Sequence, residues 1–241
     1  FILTSIVEMS ISEFYDDTSP RTWQKVIGED LHYHVGWGEG NIFYNAVKHL
    51  YQFIEPESTV LDCGCGWGGT GKVLQRDLNC DVTGVTISQV QSDYISSNNL
   101  FPVILSDLHD YRPTKTYDVC LFIESFCHLT YPTKVLNNLS NYTDKMILRE
   151  YHLKANNYSK KYFDRWLMNI YSKNELVSIF NDYDYKLTYF EEHYDYALEP
   201  TLDLWLHNLD KIDRIEKTKH IELLELSARY LKQYKDQILN D

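Results

Sequence analysis

The chain has 241 residues, 44% of them hydrophobic and 15% aromatic, which is enough apolar mass for one α/β core with an appended cap. Its net charge of −12, unrelieved by any dense cluster of Lys and Arg, argues against nucleic acid and anionic membranes as partners. No apolar run approaches the roughly 20 residues of a membrane span, and Phe1-Ile2-Leu3 lacks the basic flank of a signal peptide, so a cytoplasmic protein is expected.

In chain order, residues 1–57 predict two or three helices around an aromatic loop, Leu31-His32-Tyr33-His34-Val35-Gly36-Trp37-Gly38-Glu39-Gly40. Residues 58–200 alternate short β-branched runs with amphipathic stretches, the pattern of βαβ units and a parallel sheet. Strands are expected at Thr59–Cys63, Asp81–Thr86, Phe101–Ser106, Tyr117–Ile123 and Lys145–Tyr151. The first intervening helix carries Val73, Leu74 and Leu78 on one face and ends near Asn79; the second follows Ser88 as N-cap, with Val90, Tyr94 and Ile95 toward the sheet. An aromatic and cationic segment runs from His152 to Trp166, followed by a helix expected near Ser172–Asn181 and a strand near Tyr185–Glu191. Residues 201–241 read as a long helical region with Leu223, Leu224, Leu226, Tyr230, Leu231 and Tyr234 at helical spacing. The five cysteines form no even disulfide framework, and Cys63 and Cys65 have the wrong spacing for a CxxC pair.

The first strand runs into Gly64-Cys65-Gly66-Trp67-Gly68-Gly69 and then a helix, a GxGxxG turn at a β-to-α junction. Glycines allow close backbone approach and the helix start offers free N–H groups, so the turn suits a pyrophosphate or an amino-acid carboxylate equally. Asp62 tips the choice: its carboxylate repels a pyrophosphate and attracts a cationic amino group. The next strand ends Val85-Thr86-Ile87-Ser88, without the acid that clamps a dinucleotide ribose. The third ends at Asp107-Leu108, where Asp107 either accepts from an adenine amino group or caps the following turn.

Val60-Leu61-Asp62-Cys63-Gly64-Cys65-Gly66-Trp67-Gly68-Gly69 resembles the first motif of class I S-adenosylmethionine-dependent methyltransferases. Val82–Gln91 is similar to the second-strand segment of their cyclopropane fatty acid synthase-like, small-molecule branch, and the resemblance extends over roughly residues 12–195. It implies an α/β, Rossmann-like fold with a mostly parallel sheet, helices on both faces, an N-terminal helical cap and an aromatic lid. The implied cofactor is S-adenosyl-L-methionine, leaving as S-adenosyl-L-homocysteine. Asp62, Gly64 and Gly66 are expected at its methionine end, Thr86, Ile87 and Gln91 at the adenosyl group, and Asp107 and Leu108 at the adenine. Tyr33 and His34 are expected to close over the methionine end, and Tyr15 to cover the cofactor.

Glu124-Ser125-Phe126-Cys127-His128 is similar to a Glu-Ser-x-x-His run of small-molecule methyltransferases, where the Glu and Ser line the cofactor pocket and the His faces the acceptor. Glu124 and His128 are therefore the expected catalytic residues, with His128 either a base or acceptor-orienting group, or bonded to a backbone carbonyl beneath a lid. Cys127 stands where cyclopropane synthases carry a Glu, which favours methyl transfer to O, N or C of a small molecule. His32 and His34 share a face of an extended segment, but no third ligand stands at a recognisable spacing, so no metal is expected. The aromatic residues suit an acceptor with an apolar or cationic part, although an overall abundance of Tyr accounts for them as well. The sequence stops after a helix where the resemblance implies a final antiparallel strand, and it starts without Met, so a domain of a longer polypeptide is expected. Cyclopropane-type modification of an acyl chain and a non-catalytic domain of the same fold are the alternatives.

Overall fold

The computed structural model describes residues 10–153, 168–193 and 196–239. Seven strands, β1 (Thr59–Cys63), β2 (Asp81–Thr86), β3 (Val103–Leu105), β4 (Val119–Ile123), β5 (Met146–Arg149), β6 (His152–Leu153) and β7 (Tyr171–Ser172), alternate with nine helices among the described residues. The helices are α1 (Ile11–Asp16), α2 (Pro20–Ile27), α3 (Ile42–Lys48), α4 (Gly69–Leu78), α5 (Gln89–Ser97), α6 (Pro132–Leu139), α7 (Lys173–Asn181), α8 (Leu198–Leu209) and α9 (Lys219–Leu239).

The main sheet has the order β3-β2-β1-β4-β5, and every pairing in it is parallel. This is a Rossmann-like arrangement. The chain steps outward from β1 through β2 to β3, then returns to the other side of β1 as β4, which leaves a crevice at the carboxyl ends of β1 and β4. Successive strand residues serve opposite faces. Val60, Val82, Val119 and Leu121 pack under α4, α5 and the 3₁₀ turn His49–Phe53, whereas Leu61, Val85, Cys120 and Phe122 pack under α6 and α7.

Local chemistry sets the helix ends. α4 starts after Gly68 at φ +84° and stops on Asn79 at φ +55°, both left-handed. Ser88 caps α5 by accepting from Gln91 N at 3.1 Å, and Ser172 with Glu175 forms a capping box on α7. Within α5, Ile95 faces the sheet; Val90 instead packs against the helical cap, because α1 lies over that end of the helix.

The cap joins both ends of the chain. Trp23, Val26 and Ile27 of α2 share one core with Leu202 and Trp205 of α8 and Ile221, Leu224, Ala228 and Leu231 of α9. The expected apolar stripe of the last helix is therefore rotated: Leu226 and Tyr230 lie on its exposed side. The helical region is also two helices rather than one, broken over 210–218 by a 3₁₀ turn, Arg214–Glu216.

The segment 185–191 forms no strand. Its alternating side chains have strand propensity, yet no backbone edge among the described residues pairs with it, and Leu187, Tyr189 and Phe190 are exposed. A cavity of about 890 Å³ lies between it and the outer edge of β5. Most of the expected lid, residues 154–166, lies outside the described residues, as do Tyr194 and Asp195. All five cysteines are free and buried. No helix among the described residues is long and apolar enough to cross a membrane.

Candidate active site

The glycine turn closes tightly on β2 and β4. Gly64 N and Cys65 N both donate to Val85 O, at 2.9 and 3.0 Å, and Ser125 Oγ donates to Cys63 O at 2.6 Å. A Cβ on Gly64 would lie 2.6 Å from Ser125 Cβ, so only glycine lets the two strand ends approach. Gly66 is different: at φ +55° a Cβ there meets no heavy atom within 4 Å, so the turn is open at that point. Beside it, Asp62 is 1% exposed and its Oδ2 has no hydrogen-bond partner among the described residues. Burial pushes its carboxyl up to about 7.

The adjoining wall is assembled from β2, α5 and α1. Thr86 Oγ1 donates to Gln91 Oε1 at 2.7 Å and accepts from Ser88 N at 3.2 Å, so Thr86 and Gln91 form one buried unit. Asp16, at the end of α1, accepts from Ser88 Oγ at 2.5 Å and from Val90 N at 3.3 Å, which fastens the cap over this edge. Ile87 is half-buried, and Leu108 packs into the core under α6. Of the two readings of Asp107, the structure displays the turn cap: Oδ1 accepts from His109 N at 2.8 Å and lies 2.6 Å from His109 Nδ1.

The aromatic loop is held from below. Glu124, at a left-handed φ of +52°, accepts through Oε1 from Val35 N at 2.7 Å and from Arg149 Nη1 at 3.2 Å, while Arg149 Nη2 donates to Gly36 O at 2.8 Å. Burial raises the Glu124 carboxyl to about 7 against the pull of Arg149. Through Oε1, Glu124, expected as a catalytic and cofactor-lining group, ties Val35 to the sheet, and Arg149 ties Gly36.

His34 and His32 bond to each other. A carbonyl only accepts, so His34 Nδ1 donates to Val35 O at 2.9 Å; its Nε2 then accepts from His32 Nδ1 at 3.3 Å. Burial holds both imidazoles neutral, His32 down to about 4 and His34 well below its usual range. They buttress the start of α4, where a Cβ on Gly69 would lie 2.8 Å from His32 Nδ1. Among the described residues no group of His, Cys, Asp and Glu is arranged to hold a metal.

Tyr15, Tyr33 and His128 do come together. The Tyr15 hydroxyl lies 3.2 Å from His128 Nε2, and the Tyr15 ring stands edge-on to Tyr33 and His128 at centroid distances of 6.4 and 6.0 Å. Burial, followed by Tyr33, raises the Tyr15 hydroxyl far above its usual range, so Tyr15 stays protonated. Tyr33 is tied by a residue that sequence reasoning missed: His220 of α9 donates from Nδ1 to Phe14 O at 3.0 Å and accepts at Nε2 from the Tyr33 hydroxyl at 2.9 Å. Burial pushes His220 down to about 3. A second missed residue is Glu150, just after β5, which accepts through one oxygen from Ser125 N at 2.8 Å and Phe126 N at 2.7 Å. It thereby caps the 3₁₀ turn Phe126–His128. Neither residue has a local motif; each is recruited from a distant part of the chain.

Residues 60–145, spanning β1 to the edge of β5, match a family described as methyltransferase domain. The chain is 28% identical over 167 residues to (S)-tetrahydroprotoberberine N-methyltransferase of Eschscholzia californica, covering 64% of this chain and 46% of that protein. The chain thus spans under half the length of that curated relative. Among solved structures, coclaurine N-methyltransferase, bound to N-methylheliamine and S-adenosylhomocysteine, superposes with a TM-score of 0.70 at 21% identity, covering 98% of this chain and 82% of that one. The cyclopropane synthase MmaA2 of Mycobacterium tuberculosis superposes at 0.73 with 15% identity, covering 97% and 93%. Both share the fold of this chain, including the helical cap that lies outside the methyltransferase-domain segment.

Proposed function

We propose that this chain transfers the methyl group of S-adenosyl-L-methionine to an O, N or C atom of a small molecule with an apolar or aromatic part. The observation that carries the reading is the unpartnered Oδ2 of buried Asp62 beside the open approach at Gly66. A buried carboxylate oxygen without a partner is costly, and a cationic amino group at that point removes the cost. The residues present therefore fit the amino-acid end of the cofactor, with Thr86 and Gln91 toward its adenosyl part. The named relative, an N-methyltransferase of a plant alkaloid, supports nitrogen among the three acceptor atoms.

When bound, the cofactor supplies a methyl group already activated by a sulfonium. What remains for the protein is alignment, worth roughly 7–11 kcal/mol, and proton removal, worth ~10²–10⁴-fold. Tyr15 and His128 form a hydroxyl–imidazole pair at the lip of β4 that takes or orients the acceptor's proton. Glu124 and Arg149 hold the aromatic loop, and the cap anchored by Asp16 and His220 keeps water out.

Calorimetry with S-adenosylhomocysteine tests the donor half: saturable binding is expected in the wild type and none in Asp62→Ala. Turnover of methyl-labelled cofactor with extracted small molecules tests the acceptor half. A protein that binds S-adenosylhomocysteine but labels only acyl chains would move the reading to cyclopropane-type chemistry, and one that labels nothing would move it to a binding domain.

A further inference from the structure

The hydroxyl that meets His128 is carried by the least self-sufficient helix of the cap. α1 has six residues, far fewer than a helix needs to persist alone, and none of them is fully buried. Core packing of its own therefore does not aim Tyr15. Asp16 fastens the residue after Tyr15 to α5. The residue before it, Phe14, is held from the opposite end of the chain, by His220 of α9.

His220 is buried and grips Tyr15 from two sides. Its ring lies on Phe14 at a centroid distance of 3.7 Å, and its Nδ1 donates to the Phe14 carbonyl at 3.0 Å. Its backbone N–H donates to Asp17 Oδ2 at 3.1 Å, and the Tyr15 ring stands edge-on to the imidazole at 5.5 Å. On the other side, Nε2 holds the Tyr33 hydroxyl at 2.9 Å, and the Tyr33 ring stands edge-on to Tyr15.

The bonds of this imidazole leave it no freedom. A carbonyl only accepts, so Nδ1 carries the proton, Nε2 accepts, and the Tyr33 hydroxyl must be the donor. Burial keeps the ring neutral, which preserves that arrangement. Of the two tyrosines, Tyr33 has its proton committed to α9, and Tyr15 is the one whose hydroxyl meets His128. Resting on the methyl-transfer reading above, we propose that His220 is a positioning residue of the reaction: by holding Phe14 and Tyr33 it keeps the Tyr15 hydroxyl on His128, and it keeps the Tyr33 hydroxyl out of proton handling. The start of the last helix is thereby part of the site. A displacement of about 1 Å in a reacting group costs on the order of 10²-fold in rate, so a grip of this kind is kinetically visible.

The experiment reads the pair directly and then the rate, at a low temperature where circular dichroism shows each variant folded. Nitrogen NMR of the His128 imidazole, assigned by its loss in His128→Asn, reports the bond to Tyr15. Tyr15→Phe is expected to move the Nε2 resonance, His220→Ala to move it the same way, and His220→Gln, whose amide offers one donor and one acceptor, to restore it. With methyl-labelled S-adenosyl-L-methionine and the extracted small molecules, His220→Ala is expected to lower the saturated rate by about ten- to a hundredfold with S-adenosylhomocysteine affinity unchanged, and His220→Gln to recover most of it. Tyr33→Phe is expected to cost several-fold less than Tyr15→Phe. An unmoved His128 resonance in folded His220→Ala, a rate loss matched by an equal loss of S-adenosylhomocysteine affinity, or equal losses in Tyr33→Phe and Tyr15→Phe would each overturn the assignment. The two tyrosine variants leave His220 in place, so their comparison stands even where His220→Ala fails to fold. Failure of the wild type to bind S-adenosylhomocysteine or to transfer label would overturn the methyl-transfer reading and this one with it, whereas normal binding and transfer with an unmoved resonance in His220→Ala would overturn this one alone.

Discussion

The two ends proposed for the crevice, one for the donor and one for the acceptor, are built on opposite principles. At the donor end, Asp62, Gly64, Gly66, Thr86 and Gln91 come from two short runs, each at the carboxyl end of a central strand, so parallel pairing of β1 and β2 brings them together directly. At the acceptor end, Tyr15, Tyr33, His128, Glu150 and His220 come from five separate places and meet only because the cap closes on the sheet. The contrast implies that damage at the donor end is local and severe, whereas damage at the acceptor end spreads through the cap.

The largest expected effect follows from Gly66→Arg. A left-handed φ costs a non-glycine residue roughly 1–2 kcal/mol, and the new side chain fills the open approach beside Asp62. Calorimetry should show complete loss of S-adenosylhomocysteine binding while circular dichroism retains the fold; intact binding would remove the turn from the site.

At the acceptor end, His220→Ala leaves the buried Tyr33 hydroxyl and Phe14 carbonyl without their partner. A loss of about 2–4 kcal/mol is expected in chemical denaturation, from two unsatisfied polar groups. Hydrogen exchange should show the opening in α1 and α2 and leave β1 and β4 protected; uniform deprotection would mean that cap and sheet unfold as one.

The donor end should also be sensitive to pH. Asp62 has a folded-state pKa of about 7 against an ordinary value of 3.8, so between those limits the native state carries a proton that the unfolded chain lacks. Its contribution to stability therefore falls as pH rises through that window. Binding of a cationic amino group requires the ionised carboxylate, so affinity for S-adenosylhomocysteine is expected to rise about tenfold from pH 6 to pH 8. Glu124 titrates in the same range. An unchanged slope in Asp62→Asn would assign the effect to Glu124 instead.

The smallest expected effect separates the two readings of Asp107. As a turn cap, its replacement by Ala costs about 1 kcal/mol of stability and leaves S-adenosylhomocysteine affinity alone. A loss of affinity without a loss of stability would restore the adenine reading.

Legibility in the sequence divides along the same line. The strands β1, β2 and β4, the glycine turn, the cap at Ser88 and the helix end near Asn79 could be placed because their signals are short-range: β-branched runs, glycine φ freedom and hydroxyl capping act within a few residues. The strand expected at Tyr185–Glu191 could not, since alternation supplies propensity but pairing needs a second edge, and β5 faces a cavity there. Glu124 shows the same limit, being identifiable by its motif while its commitment to Val35 and Arg149 depends on a loop 89 residues away.

By itself, then, the sequence determined the parallel α/β scaffold, the direction of its strands and the chemistry of the turn after β1. Backbone conformation and strand pairing follow from neighbouring residues and the alternation of two faces. Only the tertiary structure decided which polar groups remain unpaired. Among the described residues, Asp62 Oδ2 and Glu150 Oε2 are the buried carboxylate oxygens without a hydrogen-bond partner, and that depends on everything packed around them.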